Sequence, residues 1–173
     1  MSGAKKRLVA VIDMQNDFID GALGTREAQG IVENVRERIL AAHAAGEELV
    51  YTRDTHGEDY LSLQEGKNLP VPHCIKGSSG WQISERMPVY GEVIDKPTFG
   101  STVLAEKIKS GGYESVEFVG LCTDICVISN ALLAKAFSPE TKIFVRADCC
   151  AGVTPQSHET ALSAMRACQI EII

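Results

Sequence analysis

Cys126 follows a short β-prone run and a turn, Val116-Glu117-Phe118-Val119 and then Gly120-Leu121-Cys122-Thr123-Asp124-Ile125-Cys126. Beyond Asp124, helical spacing puts Ile125, Ile128, Leu132 and Ala136 on one stripe. Thr123 or Asp124 is suited to cap that helix. Cys126 is then expected in a first turn, where free N–H groups and the helix dipole favour an anion and lower a thiol's pKa. This points to a nucleophilic cysteine at the carboxyl end of a strand. Asp13 ends the apolar run Leu8–Ile12 and is followed by Gln15-Asn16-Asp17-Phe18, a polar cluster that suits a pocket wall. Lys96 precedes Pro97; beside the thiol, its ammonium would stabilise the thiolate and hold the acid. A lone aspartate after a strand is more often a cap, and most lysines are surface groups. Together the three form an acid, a cation and a nucleophile, a set that amide hydrolysis uses.

A second constellation lies in a long loop. Asp54-Thr55-His56 puts two ligand-type residues at alternate positions, so in extended chain both side chains face the same way. Glu65 and His73 complete a mixed Asp/His/Glu set of the kind that holds a divalent cation with open positions. Cys122 and Cys126 are separated by three residues, whereas zinc and redox motifs more often use two, and no second pair matches them. A structural zinc or a dithiol redox centre is disfavoured accordingly.

The chain has 173 residues, a size for which one domain over 1–173 is expected. It is 45% hydrophobic, enough for a full core, and its net charge of −6 argues against a nucleic-acid partner. The Lys5-Lys6-Arg7 cluster reads as a solvated N-terminus. The six cysteines form no regular framework, so free thiols and a reducing, cytoplasmic compartment are expected. There is no signal-peptide pattern, and no run approaches the roughly 20 apolar residues of a membrane span.

These side chains need a scaffold. Leu8–Ile12, Glu48–Thr52, Gly91–Asp95, Ser115–Val119, Lys142–Val145 and Gln169–Ile173 read as strands. Helices are expected over Ile31–Ala45 with Gly46 as the stop, from Pro97–Ser101 through Ile108 to Gly111-Gly112, after Asp124, and from Ser157 to about Ala167. From Thr55 to about Val89 no period is sustained, and a loop that long inside a domain is usually functional. The alternation calls for a parallel sheet with helices on both faces. Ligands bind such sheets at the carboxyl ends of the strands, where Asp13, Asp54, Lys96 and the Gly120–Cys126 turn all fall.

The chain resembles the cysteine hydrolases of the isochorismatase-like superfamily and, within it, the nicotinamidases. The likeness runs over essentially the whole chain. It rests on Val11-Ile12-Asp13-Met14-Gln15-Asn16-Asp17-Phe18, Thr52-Arg53-Asp54-Thr55-His56, Pro72-His73-Cys74-Ile75-Lys76-Gly77, Lys96-Pro97-Thr98-Phe99-Gly100-Ser101 and Gly120-Leu121-Cys122-Thr123-Asp124-Ile125-Cys126-Val127.

The resemblance implies a three-layer Rossmann-like α/β fold with six parallel strands in the order 3-2-1-4-5-6. It implies an Asp13–Lys96–Cys126 triad, a cis Leu121–Cys122 peptide and an oxyanion hole made by the N–H groups of Cys122 and Cys126. It also implies a divalent metal (zinc, or else iron or manganese) on Asp54, His56 and His73, with Glu65 as a fourth ligand. The implied reaction is hydrolysis of nicotinamide to nicotinate and ammonia, a step of NAD salvage, in a homodimer or homotetramer. Some nicotinamidases stack a tryptophan on the ring, from just before the Pro-His segment. Here that segment reads Asn68-Leu69-Pro70-Val71-Pro72, so Phe18 or Trp81, with Leu23 and Phe99, are expected to contact the substrate. The rival readings are another amidase of the superfamily acting on carbamoyl, ureido or small aliphatic amides, an isochorismate-type ether hydrolase, a non-enzymatic partner protein and a thiol redox protein.

Overall fold

The computed structural model describes residues 6–173, so Lys5 of the basic cluster lies outside the described residues. The elements in chain order are β1 (Arg7–Ile12), α1 (Asn16–Ile19), α2 (Arg26–Gly30), α3 (Val32–Ala44), β2 (Glu48–Asp54), a 3-10 turn (Tyr60–Ser62) and α4 (Gln64–Asn68). They continue with β3 (Glu92–Lys96), α5 (Thr102–Gly111), β4 (Ser115–Leu121), a π-helical turn (Thr123–Val127), α6 (Ile128–Phe137), β5 (Lys142–Ala151), α7 (Pro155–Ala167) and β6 (Glu171–Ile172). The strands pair in parallel in the order β3-β2-β1-β4-β5-β6, the expected topology.

Because side chains alternate across a strand, β1 feeds two cores at once. Leu8, Ala10 and Ile12 join Val116 and Phe118 on the face covered by residues of α5, α6 and α7. Val9 and Val11 join Val119 and Leu121 on the face covered by α3. This two-sided burial is why the central strands read as continuous apolar runs.

Helix ends follow local chemistry. Gly46, at φ 71°, ends α3 in the left-handed conformation that glycine adopts freely. The Ser101 hydroxyl accepts the Leu104 N–H at the start of α5, and Thr154 with Ser157 forms a capping box on α7.

Three expectations are corrected. The 55–89 segment is not wholly irregular, since it carries the Tyr60–Ser62 turn and α4. The last strand is confined to Glu171–Ile172, whereas β5 runs on to Ala151, because Cys150 and Ala151 resume pairing with Gly120 and Leu121 after a register shift. The helix carrying Cys126 begins as a π turn, and its expected stripe is not the buried one. Val127, Asn130, Ala131 and Ala134 face inward, while Leu132 and Ala136 are exposed. A π turn holds one residue more than an α turn, which rotates everything after it by about 100°.

Candidate active site

Four adjacent strands each deliver one group to the same edge of the sheet. Asp13 follows β1, Asp54 ends β2, Lys96 ends β3, and Cys126 sits on the turn after β4. The strand order reverses between β1 and β4, the place where open parallel sheets leave a crevice. Asp13 is held with φ at 48°, a left-handed conformation uncommon outside glycine. Its backbone N–H reaches the Thr52 carbonyl, and its Oδ1 accepts the Thr52 hydroxyl at 2.6 Å. Its Oδ2 lies 2.7 Å from Lys96 Nζ. The same ammonium stands 3.4 Å from Cys126 Sγ, 3.4 Å from Asp54 Oδ1 and 3.1 Å from the Thr98 carbonyl. Asp13, Lys96 and Cys126 are all buried.

Burial sets the charges here. It pushes the Asp13 carboxyl up, against the pull of Lys96 and with reinforcement from Asp54. It pushes the Cys126 thiol well above its usual value; Asp13 adds to this and Lys96 opposes it. The expectation of a thiol pKa lowered by a helix N-terminus is therefore corrected: desolvation and two nearby carboxylates outweigh the cation. Lys96 is raised: burial disfavours its charge, but Asp13, Cys126 and Asp54 more than offset that. The Lys96 ammonium thus stands between the Asp13 carboxylate and the Cys126 sulfur.

Beside this group, Asp54, His56, Glu65 and His73 offer ligand atoms that all lie within 4.8 Å of one another. The loop is tied down by backbone bonds: the His56 N–H reaches the Cys74 carbonyl, and the Lys76 N–H reaches the His56 carbonyl. Gln15, fully buried, accepts the Asp54 N–H through Oε1 and donates through Nε2 to the Asp54 and Trp81 carbonyls. His73 Nδ1 lies 2.8 Å from the Val71 carbonyl, which requires the proton on Nδ1 and leaves a lone pair on Nε2, 3.5 Å from Asp54 Oδ2, as the ligand atom. Burial and the neighbouring Asp54 push the Glu65 carboxyl up. Two crowded carboxylates and two imidazoles fit a divalent cation, which would relieve that repulsion.

Next to both groups opens a narrow cleft lined by Phe18, Leu23, Leu69, Phe99, Ile125, Cys122 and Cys126, together with Asp54, Glu65 and His73. The structure thus brings three of the four expected substrate contacts to the cleft. Trp81 is the exception and is corrected. Its indole N–H is given to the Thr55 hydroxyl at 2.8 Å, and its face is covered by the Arg53 guanidinium at 3.6 Å. Sequence reasoning missed Leu69 and Ile125 on the wall. It also missed Tyr60, which packs its ring 4.7 Å from His56 and 5.1 Å from His73. No motif marks Tyr60; only its place in the loop that carries the ligands could have drawn attention to it. A larger hollow of ≈ 310 Å³ opens at the amino end of the sheet, lined largely by charged side chains such as Arg38, Glu47, Glu117 and Arg146, and none of the residues Asp13, Lys96 and Cys126 lines it. The Leu121–Cys122 peptide is cis, as expected. All six cysteines are free. No described helix is long and apolar enough to cross a membrane.

The Isochorismatase domain model matches residues 7–173. Among solved structures, pyrazinamidase of Pyrococcus horikoshii in complex with zinc superposes with a TM-score of 0.85 and 29% identity, over 97% of this chain and 98% of that one. The nicotinamidase/pyrazinamidase of Mycobacterium tuberculosis is 24% identical, covering 96% of this chain and 98% of its own. A ureidoacrylate amidohydrolase of Acinetobacter baylyi is 27% identical over 69% of this chain and 61% of its own length. With the family model spanning nearly its whole length, the chain belongs to the isochorismatase family.

Proposed function

We propose that this protein is a nicotinamidase that hydrolyses nicotinamide to nicotinate and ammonia through a thioester on Cys126. The observation that carries the reading is one apolar cleft lined both by Cys126, whose sulfur lies 3.4 Å from the ammonium of the Lys96–Asp13 pair, and by Asp54, Glu65 and His73 of the four-residue metal-donor cluster.

The chemistry follows from the charges. As Cys126 Sγ attacks the amide carbonyl carbon, its proton passes to Asp13, whose raised carboxyl makes it the better acceptor. Lys96, 3.4 Å from the sulfur, balances the charge as the proton leaves. The backbone N–H groups of Cys122 and Cys126 are the proposed donors to the oxyanion; losing one such donor typically costs about 3 kcal/mol in the barrier. Collapse breaks the C–N bond, and Asp13 returns its proton to the departing nitrogen, releasing ammonia and leaving the acyl group on sulfur. Asp13 then takes a proton from an attacking water, the C–S bond breaks, and the thiol is restored. Asp54, His56, Glu65 and His73 are the residues that would hold a divalent metal, zinc being the first candidate. When bound, it supplies a Lewis acid that can orient a ring nitrogen or a water beside the acyl carbon.

The cleft wall bears on substrate choice. Its lining residues include aromatic and aliphatic side chains but no lysine or arginine. A ureido acid with a free carboxylate would find no lysine or arginine on that wall to pair with, whereas a neutral aromatic amide buries its ring against Phe18, Leu23, Leu69 and Phe99. Incubating the purified protein with nicotinamide, pyrazinamide and ureidoacrylate, and measuring ammonia and acid products, tests the reading. Turnover of the two ring amides is expected; turnover of ureidoacrylate alone would reject it.

A further inference from the structure

Asn130 takes no part in the chemistry derived above, yet its side chain is 2% exposed and three of its hydrogen-bonding positions are filled by fixed backbone groups. Nδ2 donates to the Cys126 carbonyl at 2.8 Å and to the Phe99 carbonyl at 3.0 Å. Oδ1 accepts the Ser101 N–H at 2.9 Å. Two carbonyls and one N–H leave no ambiguity about which end of the amide is which.

These partners belong to the two segments that must stay in register for the sulfur to meet the ammonium. One is the nucleophile's own π turn, four residues back along the chain. The other is the segment that leaves β3 at Lys96, whose Nζ donates to the Thr98 carbonyl, carries Phe99 onto the cleft wall, and enters α5 at Ser101. That segment lies flush on α6: a Cβ at Gly100 would meet the Leu133 side chain at 2.6 Å, with Ser129 next nearest.

We propose that Asn130 is a positioning residue that clamps the Lys96–Ser101 segment to the nucleophile turn and so fixes the distance between the Lys96 ammonium and the Cys126 sulfur. A hydroxyl at this position can bond the carbonyl one turn back, but it is too short to bridge to Phe99 and Ser101 as well. An alanine does neither. The clamp acts on the alignment of reacting groups, so its loss is read in kcat more than in KM.

The inference rests on Cys126 as the nucleophile, and two readouts separate its failure from failure of the proposed substrate. The first is nicotinamide turnover by Asn130→Ala and Asn130→Ser, each assayed well below its own melting temperature. For Asn130→Ala the expectation is a kcat lower by roughly 10- to 100-fold with KM within about twofold of wild type, and partial recovery in Asn130→Ser. The second is the rate of iodoacetamide labelling at Cys126, followed by peptide mass with exposed Cys168 as internal reference; this needs no substrate and is expected to slow in the same order. A folded Asn130→Ala protein with wild-type kcat or wild-type Cys126 labelling would overturn the proposal, since a purely structural role lowers the melting temperature and leaves both rates unmoved. If Asn130→Ala does not fold, Asn130→Ser decides by the same two rates. If wild type fails to hydrolyse nicotinamide, the substrate assignment falls and the labelling arm still tests the clamp.

Discussion

Lys96 is asked to satisfy four partners with one ammonium: two carboxylates, a sulfur and a carbonyl. It does so with its side chain wholly out of water. Removing it would leave Asp13 and Asp54 as buried charges of like sign with no cation between them. Breaking a buried pair in this way costs about 3–5 kcal/mol. Lys96→Met is therefore expected to lower the urea midpoint steeply as well as to end turnover. Cys126→Ala makes the useful contrast. It deletes the nucleophile but leaves Lys96 paired with Asp13 and Asp54, so ammonia release should vanish while the urea midpoint stays close to wild type. If both variants unfolded at the wild-type midpoint, the lysine would not be holding the two acids as its geometry indicates. The donor cluster has its own test at this scale. A chelator that empties Asp54, His56, Glu65 and His73 should lower turnover and readdition of zinc, iron or manganese should restore it, with metal content followed by elemental analysis. Full activity in protein shown to be metal-free would remove the cluster from the mechanism.

At the scale of elements, the site depends on strand ends arriving at one level. Gly120 shows how little room that leaves. It pairs with Ile12 across the two central strands and has φ 119°, a region that side chains rarely enter. A Cβ there would collide with the Ile12 carbonyl. Gly120→Ala should thus cost about 1–3 kcal/mol from the backbone alone, with further loss from overpacking. Because Asp13 and the nucleophile turn follow these two residues, turnover should fall even where the protein remains folded, and a thermal melt paired with an ammonia assay checks both. The ends of β1 and β2 were legible in the sequence because each is a buried apolar run followed by polar or charged residues that include Asp13 and Asp54. The π turn was not. Its signal is a single extra residue, and Ile125, Ile128, Leu132 and Ala136 keep helical spacing whichever face they present. Small residues, Ala131 and Ala134, took the inner face instead, and small side chains carry little weight in a hydrophobic pattern. Trp81 was misplaced for a related reason. Composition marks a lone tryptophan as a ring-binding candidate, but its partners Arg53 and Thr55 are set by a loop path that has no period to read.

Across the whole molecule, charge networks at the amino side of the sheet hold layers together far from the chemistry. Glu117, in the central strand β4, accepts from Arg38 of α3 through both oxygens and from Arg146 of β5 at 2.6 Å, while Arg38 also reaches Glu47. Burial alone would raise the Glu117 carboxyl, but the hydrogen bonds from Arg38 and Arg146 hold it below its ordinary value. Near the same end, burial again works against ionisation of Glu48, but the Tyr113 hydroxyl, Lys6 and Lys107 bring its pKa down to about 2. Both carboxylates are thus more acidic folded than unfolded. Their stabilisation is complete above the unfolded value of about 4.3 and is lost as pH falls through the lower folded values. The urea midpoint should hold from neutral pH to about 5 and then drop between about 4 and 2. Glu117→Gln should be less stable than wild type at pH 7, with the gap closing as the wild-type carboxylate itself becomes protonated. Turnover per folded molecule should match wild type, since Glu117 is remote from Cys126. A gap that stayed constant from pH 7 to 2 would mean that packing, and not the Arg38–Glu117–Arg146 charges, is what the residue contributes.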